Sequence, residues 1–248
     1  MTIFRIQSSY EPLQTPTTHK IHYISQFFLH PNPTRKQEII SCLKRCADHP
    51  SFTTIHLLNE RIYTQDELNL SNPQFKKVKQ TNIKERLTYK HVFDYVEQQK
   101  LSGYIVLANN DIFFDHTLNN IFRTSLSKKK SIYAQLRMNY HPKYGSDLSK
   151  CILFQKGKTP RADSQDTWIF HSTFNVHKKY RHLFSFQLGT PGCDNHLLFL
   201  LQKQLQFTIF NLPYRIKTYH FHSSNIRSYT DKNRLNSHYL FVAPCLKP

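Results

Sequence analysis

The spacing of apolar positions changes several times along the chain, and each change marks an element. Residues 19–29 (HKIHYISQFFL) are dense in β-branched and aromatic side chains and predict a first strand. A helix is expected next. Asn32-Pro33-Thr34 marks its start, with Thr34 as N-cap and Gln37 three residues on to return the capping-box hydrogen bond. Ile39, Ile40, Leu43 and Ala47 then fall on one helical stripe, and the helix ends near His49-Pro50. FTTIHLL at 52–58 predicts a second strand, and FKKVKQT at 75–81 a weaker third beyond a polar stretch at 59–74. Asn82 and Glu85 repeat the cap signature, and Leu87, Val92, Phe93 and Val96 give one apolar side to a helix from Glu85 to Gln99. YIVLA at 104–108 is a continuous apolar run bounded by turn residues, the pattern of a strand buried on both faces.

This alternation predicts an α/β fold with a mainly parallel sheet. Further on, SIYAQLRM at 131–138 and CILF at 151–154 read as strands around a polar loop at 139–150. A mobile loop is expected at Gln155–Ser164, then a strand at 167–170 (TWIF), a helix from Asp194 to about Gln204, and a late strand at 215–221 (RIKTYHF). There is no internal repeat or low-complexity tract.

The length of 248 residues suits one domain, read as a leader at 1–18, a domain at 19–230 and a tail at 231–248. An apolar content of 39% and an aromatic content of 14% exclude wholesale disorder. Only five glycines are present, and none of their spacings forms a dinucleotide loop, a phosphate-binding P-loop or a nucleophile elbow. No apolar run approaches the ~18 residues of a membrane span, and the opening segment lacks a signal-peptide core, so a cytoplasmic protein is expected. Cys42, Cys46, Cys151, Cys193 and Cys245 contain no C-x-x-C pair and read as reduced thiols, Cys42 and Cys46 as partly buried ones rather than metal ligands.

A formal charge of +18 implies an anionic partner: a polyphosphate, a nucleic acid or, peripherally, an acidic membrane. A basic nucleic-acid-binding protein without catalytic activity is therefore the alternative reading. Against it, the aromatics fall inside apolar strand and helix patterns, and no recognised nucleic-acid motif is present, so no specific nucleic acid is expected.

Four clusters carry candidate chemistry. Asn109-Asn110-Asp111 directly follows the buried YIVLA strand, where α/β sheets bind ligands; its oxygens suit Mg²⁺ or Mn²⁺ carrying a diphosphate, and its composition equally suits a plain turn. Ser164-Gln165-Asp166-Thr167-Trp168 places a carboxylate beside the only tryptophan, which either stacks on a sugar or base or belongs to the core. Asp194, followed by Asn195, is either an N-cap or a general base acting on an acceptor hydroxyl. In Tyr219-His220-Phe221-His222, strand alternation sends both histidines to one face, where they can reach one ion.

Taken in order, RKQEIISCL with IHLLNE, RLTYKHVFDYV, YIVLANNDIFFDHTL, SQDTWIF, GCDNHLLFLL and YHFHSSNIRSY resemble a family of small GT-A-fold nucleotide-sugar glycosyltransferase-like proteins of viruses and bacteria. The resemblance spans roughly residues 20–230 and implies a single Rossmann-like GT-A domain with a mainly parallel mixed central sheet and flanking helices. It implies a nucleotide-diphosphate sugar donor and a hydroxyl acceptor, typically a glycan. Asp111 matches the last carboxylate of the family's D-x-D motif while Asn109 replaces the first, a weaker neutral ligand that alters the dependence on Mn²⁺ or Mg²⁺. His220 or His222 would complete the metal site. Arg86, with Asn109, Asn110 and Asp111, would hold the donor; Trp168 and Asn195 would meet the acceptor; Asp194, then Asp166, would be the catalytic base. Inversion and retention both remain open.

Overall fold

The computed structural model describes residues 20–226 and 230–245. The leader at 1–18 and the late residues Arg227 and Tyr229 lie outside the described residues. The first half runs β1 (Ile21–Ser25), α1 (Pro33–Asp48), β2 (Thr54–Asn59), α2 (Gln65–Leu68), α3 (Asn72–Lys76), β3 (Val78–Asn82), α4 (Tyr89–Gln98) and β4 (Tyr104–Ala108). The second half adds β5 (Ile112–Phe114), β6 (Ser131–Gln135), β7 (Met138–Tyr140), β8 (Ile152–Leu153), β9 (Gln155–Lys156), β10 (Thr159–Pro160) and β11 (Thr167–His171). Then come α5 (Cys193–Phe199), which continues as a π-helical turn over Leu200–Gln204, β12 (Thr208–Phe210) and β13 (Thr218–Phe221).

The main sheet has seven strands in the order β12-β6-β11-β4-β1-β2-β3, and β11 alone runs against the rest. It is the mainly parallel mixed sheet of a Rossmann-like α/β domain, flanked by helices. Alternation along its strands divides the interior in two. Ile21, Tyr23, Val106 and Ala108 face Ile39, Ile40 and Leu43 of α1, while Ile24, Ile105 and Leu107 face Val92 and Phe93 of α4 and Leu197 and Leu198 of α5. A second sheet, β5-β13-β7-β8, packs on the α1 side. Residues 155–164, expected as a loop, contain the β9–β10 hairpin. Among the described residues no helix is long and apolar enough to cross a membrane.

Three local expectations need correction. The cap of α1 is Asn32, not Thr34: Pro33 takes the first helical position, where its missing N–H costs nothing, and the Asn32 side chain accepts from Arg35 N at 3.1 Å. The third strand starts at Val78 because Asn72–Lys76 form α3 behind a capping box at Ser71. The second long helix begins after Thr88 rather than at Glu85. Gln26, just past β1, donates to Glu85 O and accepts from Leu87 N, both at 2.9 Å, and holds residues 85–87 outside the helix. Tertiary hydrogen bonding here overrides a local cap signal, and it fixes both neighbours of Arg86.

The five cysteines are free thiols. Cys42 and Cys46 are fully buried on α1, and burial pushes the Cys46 thiol up to about 12. Between β1 and β2, His22 Nδ1 and His56 Nε2 lie 3.1 Å apart, and His56 Nδ1 reaches the Tyr95 hydroxyl at 3.0 Å. Burial, reinforced by the adjacent His22, pushes His56 down to about 3. An unfolded chain takes up that proton near 6.5 while the folded chain does not, so this contribution to stability is full above about pH 6.5 and declines as pH falls toward about 3. Urea titrations are therefore expected to show a lower midpoint at about pH 5 than at about pH 7.5, with a smaller drop in His56→Gln. An equal drop in both proteins would refute this origin.

Candidate functional site

The carboxyl ends of β1 and β4 meet where Ser25 Oγ donates to Ala108 O at 2.9 Å, and a cleft of about 350 Å³ opens beyond them. Every candidate from the sequence lines it: Arg86, Asn109, Asn110, Asp111, Asp166, Trp168, Asp194, Asn195, His220 and His222. Asn109–Asp111 do form a turn, closed by Ile112 N donating to Asn109 O at 3.2 Å, and that turn delivers Asp111 to the cleft floor. The two readings of the triplet are compatible.

Sheet register brings the histidines to this carboxylate. β5 starts immediately after Asp111, β13 pairs with it antiparallel with His220 opposite Ile112, and Phe221 N donates to Asp111 O at 2.9 Å. His220 Nε2 consequently lies 3.1 Å from Asp111 Oδ2, and His222 Nδ1 lies 3.8 Å from it. His222 Nε2 faces the Ile226 carbonyl at 2.9 Å; a proton there leaves Nδ1 as a lone pair turned toward Asp111. Burial, with the nearby Arg35 charge, keeps the His222 ring below its usual pKa, hence neutral near pH 7.

Arg35, on the first turn of α1, completes the cluster. Its Nη2 lies 2.5 Å from Asp111 Oδ2, while Nη1 binds Glu38 Oε2 at 2.9 Å and Phe221 O at 3.3 Å. Burial alone would raise the Asp111 pKa; the charges and hydrogen bonds of His220 and Arg35 outweigh it and hold the carboxyl well below the usual range. Glu38, 1% exposed, accepts from Ser223 Oγ, Ser224 N and Ser224 Oγ at 2.7–3.0 Å, tying the chain after His222 to α1. Asp111 Oδ1 is buried and has no hydrogen-bond partner.

The opposite wall holds two carboxylates in unlike settings. Asp166 accepts from Asn109 Nδ2 at 2.8 Å on Oδ1 and pairs with Arg137 Nη1 on Oδ2. Both Asp166 oxygens and the Asn109 amide nitrogen are engaged, so Asp166 and Asn109 brace this wall of the cleft. Asp194 is half-buried and accepts only from the backbone on Oδ2, Gln165 N at 3.1 Å. Burial pushes it up to about 7; the Gln165 N–H draws it back and the Asp166 charge adds to the rise. Trp168 is corrected to a core residue: it is 1% exposed and packed edge-on against Tyr89, so it underlies the cleft without offering a ring face. Asn195 is likewise buried, its Nδ2 3.5 Å from Gln165 Oε1. Arg86 donates from Nε to Leu188 O at 3.1 Å and lies beside Gly189, where a Cβ would come within 3.0 Å of its Nη2.

Arg35, Glu38, Arg137 and Gln26 escaped the sequence reading. Arg35 and Glu38 carried a faint signal, opposite charges at helical i, i+3 spacing behind a cap; Arg137 and Gln26 carried none beyond following a strand. Residues 235–245, read as part of a tail, run along the domain, with Leu235 N donating to Pro191 O, Leu240 N to Asn195 O and Val242 N to Ala162 O. If Asp166 acts as a brace, Arg137→Met strands a buried charge and lowers stability by about 3 kcal/mol in urea titrations, and adding Asp166→Asn restores much of it. Additive losses in the double variant would contradict the brace.

Two of the solved structures that share the fold carry a nucleotide or nucleotide sugar with Mn²⁺. The mannosyltransferase PcManGT from Pyrobaculum calidifontis, in complex with GDP-Man and Mn²⁺, matches with a TM-score of 0.53 at 10% identity, over 90% of this chain and 62% of its own. GalNAc-T7 with UDP, GalNAc and Mn²⁺ matches with a TM-score of 0.51 at 11% identity, over 84% of this chain and 45% of its own. This chain thus spans less than two thirds of either. No family profile matches it, and no curated protein matches it in sequence. The fold is that of the GT-A-type glycosyltransferases.

Proposed function

We propose that the cleft transfers a glycosyl group from a nucleoside-diphosphate sugar to a hydroxyl acceptor, with a divalent ion held by Asp111, His220 and His222. One observation carries this reading: the ligand atoms of these three residues lie within 4.8 Å of one another at the strand ends of a GT-A fold. The buried, unpartnered Asp111 Oδ1 supplies the test of fit, because an ion there satisfies an atom that the protein leaves without a partner. Two imidazole nitrogens and one carboxylate suit Mn²⁺ better than Mg²⁺, which prefers oxygen ligands throughout. Both solved relatives in fold carry Mn²⁺ with a nucleotide or nucleotide sugar, which supports the reading.

Such an ion, when bound, would neutralise charge developing on the departing diphosphate. The remaining work falls to the chain itself. Among the described residues no carboxylate pairs with Arg86, so its charge is available to the phosphates, and Gln26 holds both backbone neighbours. Asp194 takes the proton of the acceptor hydroxyl as that oxygen bonds to the anomeric carbon and the bond from that carbon to the diphosphate oxygen breaks. A pKa of about 7 suits a general base working near neutrality, where the base is partly ionised yet still strongly basic.

Thermal shifts with GDP, UDP or TDP are expected only when Mn²⁺ is present, and to vanish in His222→Gln. A metal-independent shift of equal size would overturn the metal site. Once an acceptor is in hand, Asp194→Asn is expected to cut kcat by about 10²–10⁴ while leaving the Mn²⁺–diphosphate shift intact. Wild-type kcat should rise with pH through about 7, since Asp194 must lose its proton to act. A flat profile, or a variant of undiminished kcat, would remove Asp194 from the chemistry.

A further inference from the structure

We infer that Phe241 is the platform on which the acceptor's sugar ring lies. The inference rests on the transferase reading and deepens it by naming the residue on which a carbohydrate acceptor would lie.

Phe241 is pinned on both sides. Leu240 N donates to Asn195 O at 3.0 Å, on the same turn of α5 that bears Asp194, and Val242 N donates to Ala162 O at 2.9 Å. Asn211 Nδ2 holds Val242 O at 2.9 Å. Just before these clamps, Tyr239 fits against Gly192, where a Cβ would sit 2.9 Å from its ring, and the Tyr239 and Phe241 rings stack at 6.5 Å. Despite this anchoring, Phe241 remains 46% exposed. The other exposed large hydrophobics among the described residues, Ile62, Phe122, Ile152 and Tyr214, lie away from the cleft, and Phe241 lines it.

The surroundings specify the occupant. Arg161 and Asp163, joined by hydrogen bonds of 2.8 and 2.7 Å, line the same cleft, as does Arg234. Phe28 and Phe154 line the cleft too, but Phe154 is covered by the guanidinium groups of Arg137 and Arg161 at 4.0 and 5.2 Å, and of the three rings only Phe241 is exposed. An exposed ring bordered by charged donors and acceptors complements a pyranose, whose C–H face covers an aromatic while its hydroxyls reach the rim. A lipid acceptor would need a continuous apolar track, and this rim is polar. Because the backbone on both sides is already fixed, a ring docking on Phe241 meets a surface that loses little freedom. The position also places the sugar beside the turn that carries the proposed base. Trp168, for which the sequence allowed either stacking or a place in the core, lies in the core.

The test is saturation-transfer NMR on the full chain with lactose, cellobiose, chitobiose and mannobiose, each with GDP or UDP and Mn²⁺ present. At least one disaccharide should show saturated ring protons. Phe241→Ala should weaken that binding about tenfold, and Phe241→Trp should keep it. Absence of binding by all four sugars, or equal affinity in Phe241→Ala, overturns the platform. Thermal shifts by Mn²⁺–diphosphate in the same samples separate the two readings. A normal shift without Phe241-dependent sugar binding removes the platform and leaves the transferase reading. Phe241-dependent sugar binding without any shift supports the platform and removes the nucleotide donor.

Discussion

A carboxylate taken out of water must be compensated, and the compensation of Asp111 comes from remote parts of the chain: Arg35, 76 positions away, and His220, 109 positions away. The ion pair and the histidine contact therefore join the start of α1, the end of β4 and the last strand of the second sheet. Arg35 also binds Glu38, whose second oxygen fastens Ser223 and Ser224, so the segment carrying His222 is tied to the same charges. This network binds the two sheets by chemistry, while the apolar interior between them is indifferent to which polar atoms end up facing the cleft.

The two acids across the cleft sit in unlike settings. Asp166 is bound by Arg137 and Asn109, and its negative charge is one of the causes that raise Asp194. A neighbouring carboxylate is one means by which a site raises the proton affinity of a buried carboxyl toward neutral pH. Removing the Asp166 charge would lower the basicity of Asp194 without touching its hydrogen bonds.

Elements whose signal lies in their own residues were legible in the sequence. The buried β4, the apolar stripe of α1 and the alternation that pairs His220 with His222 all depend on periodicity, and the structure has each of them. Elements set by distant partners were not legible. Thr88 caps α4 because Gln26 claims the backbone at Glu85 and Leu87, and no local pattern reports a glutamine some sixty positions away. The cleft residues were found because they follow strands or precede a helix, the ordinary places for a site in this fold class. Their division into braces and open groups was hidden, since Asp166 and Asp194 look alike until Arg137 is seen beside only one of them.

The charge of +18 acts at another level. Arg35 and Arg137 are already neutralised by Asp111 and Asp166, so the cleft itself is far less positive than its arginines suggest. The surplus resides mainly in exposed lysines and arginines, whose field decays over about 10 Å at 0.1 M salt. Such a field speeds the encounter with any polyanion and cannot tell a nucleotide sugar from an oligonucleotide. Discrimination has to come from groups of fixed geometry, and on the cleft floor these are one carboxylate oxygen without a partner, two histidines and an arginine held by its neighbours. A strongly basic surface is thus compatible with a small-molecule site, because charge governs arrival and the cleft governs what is retained.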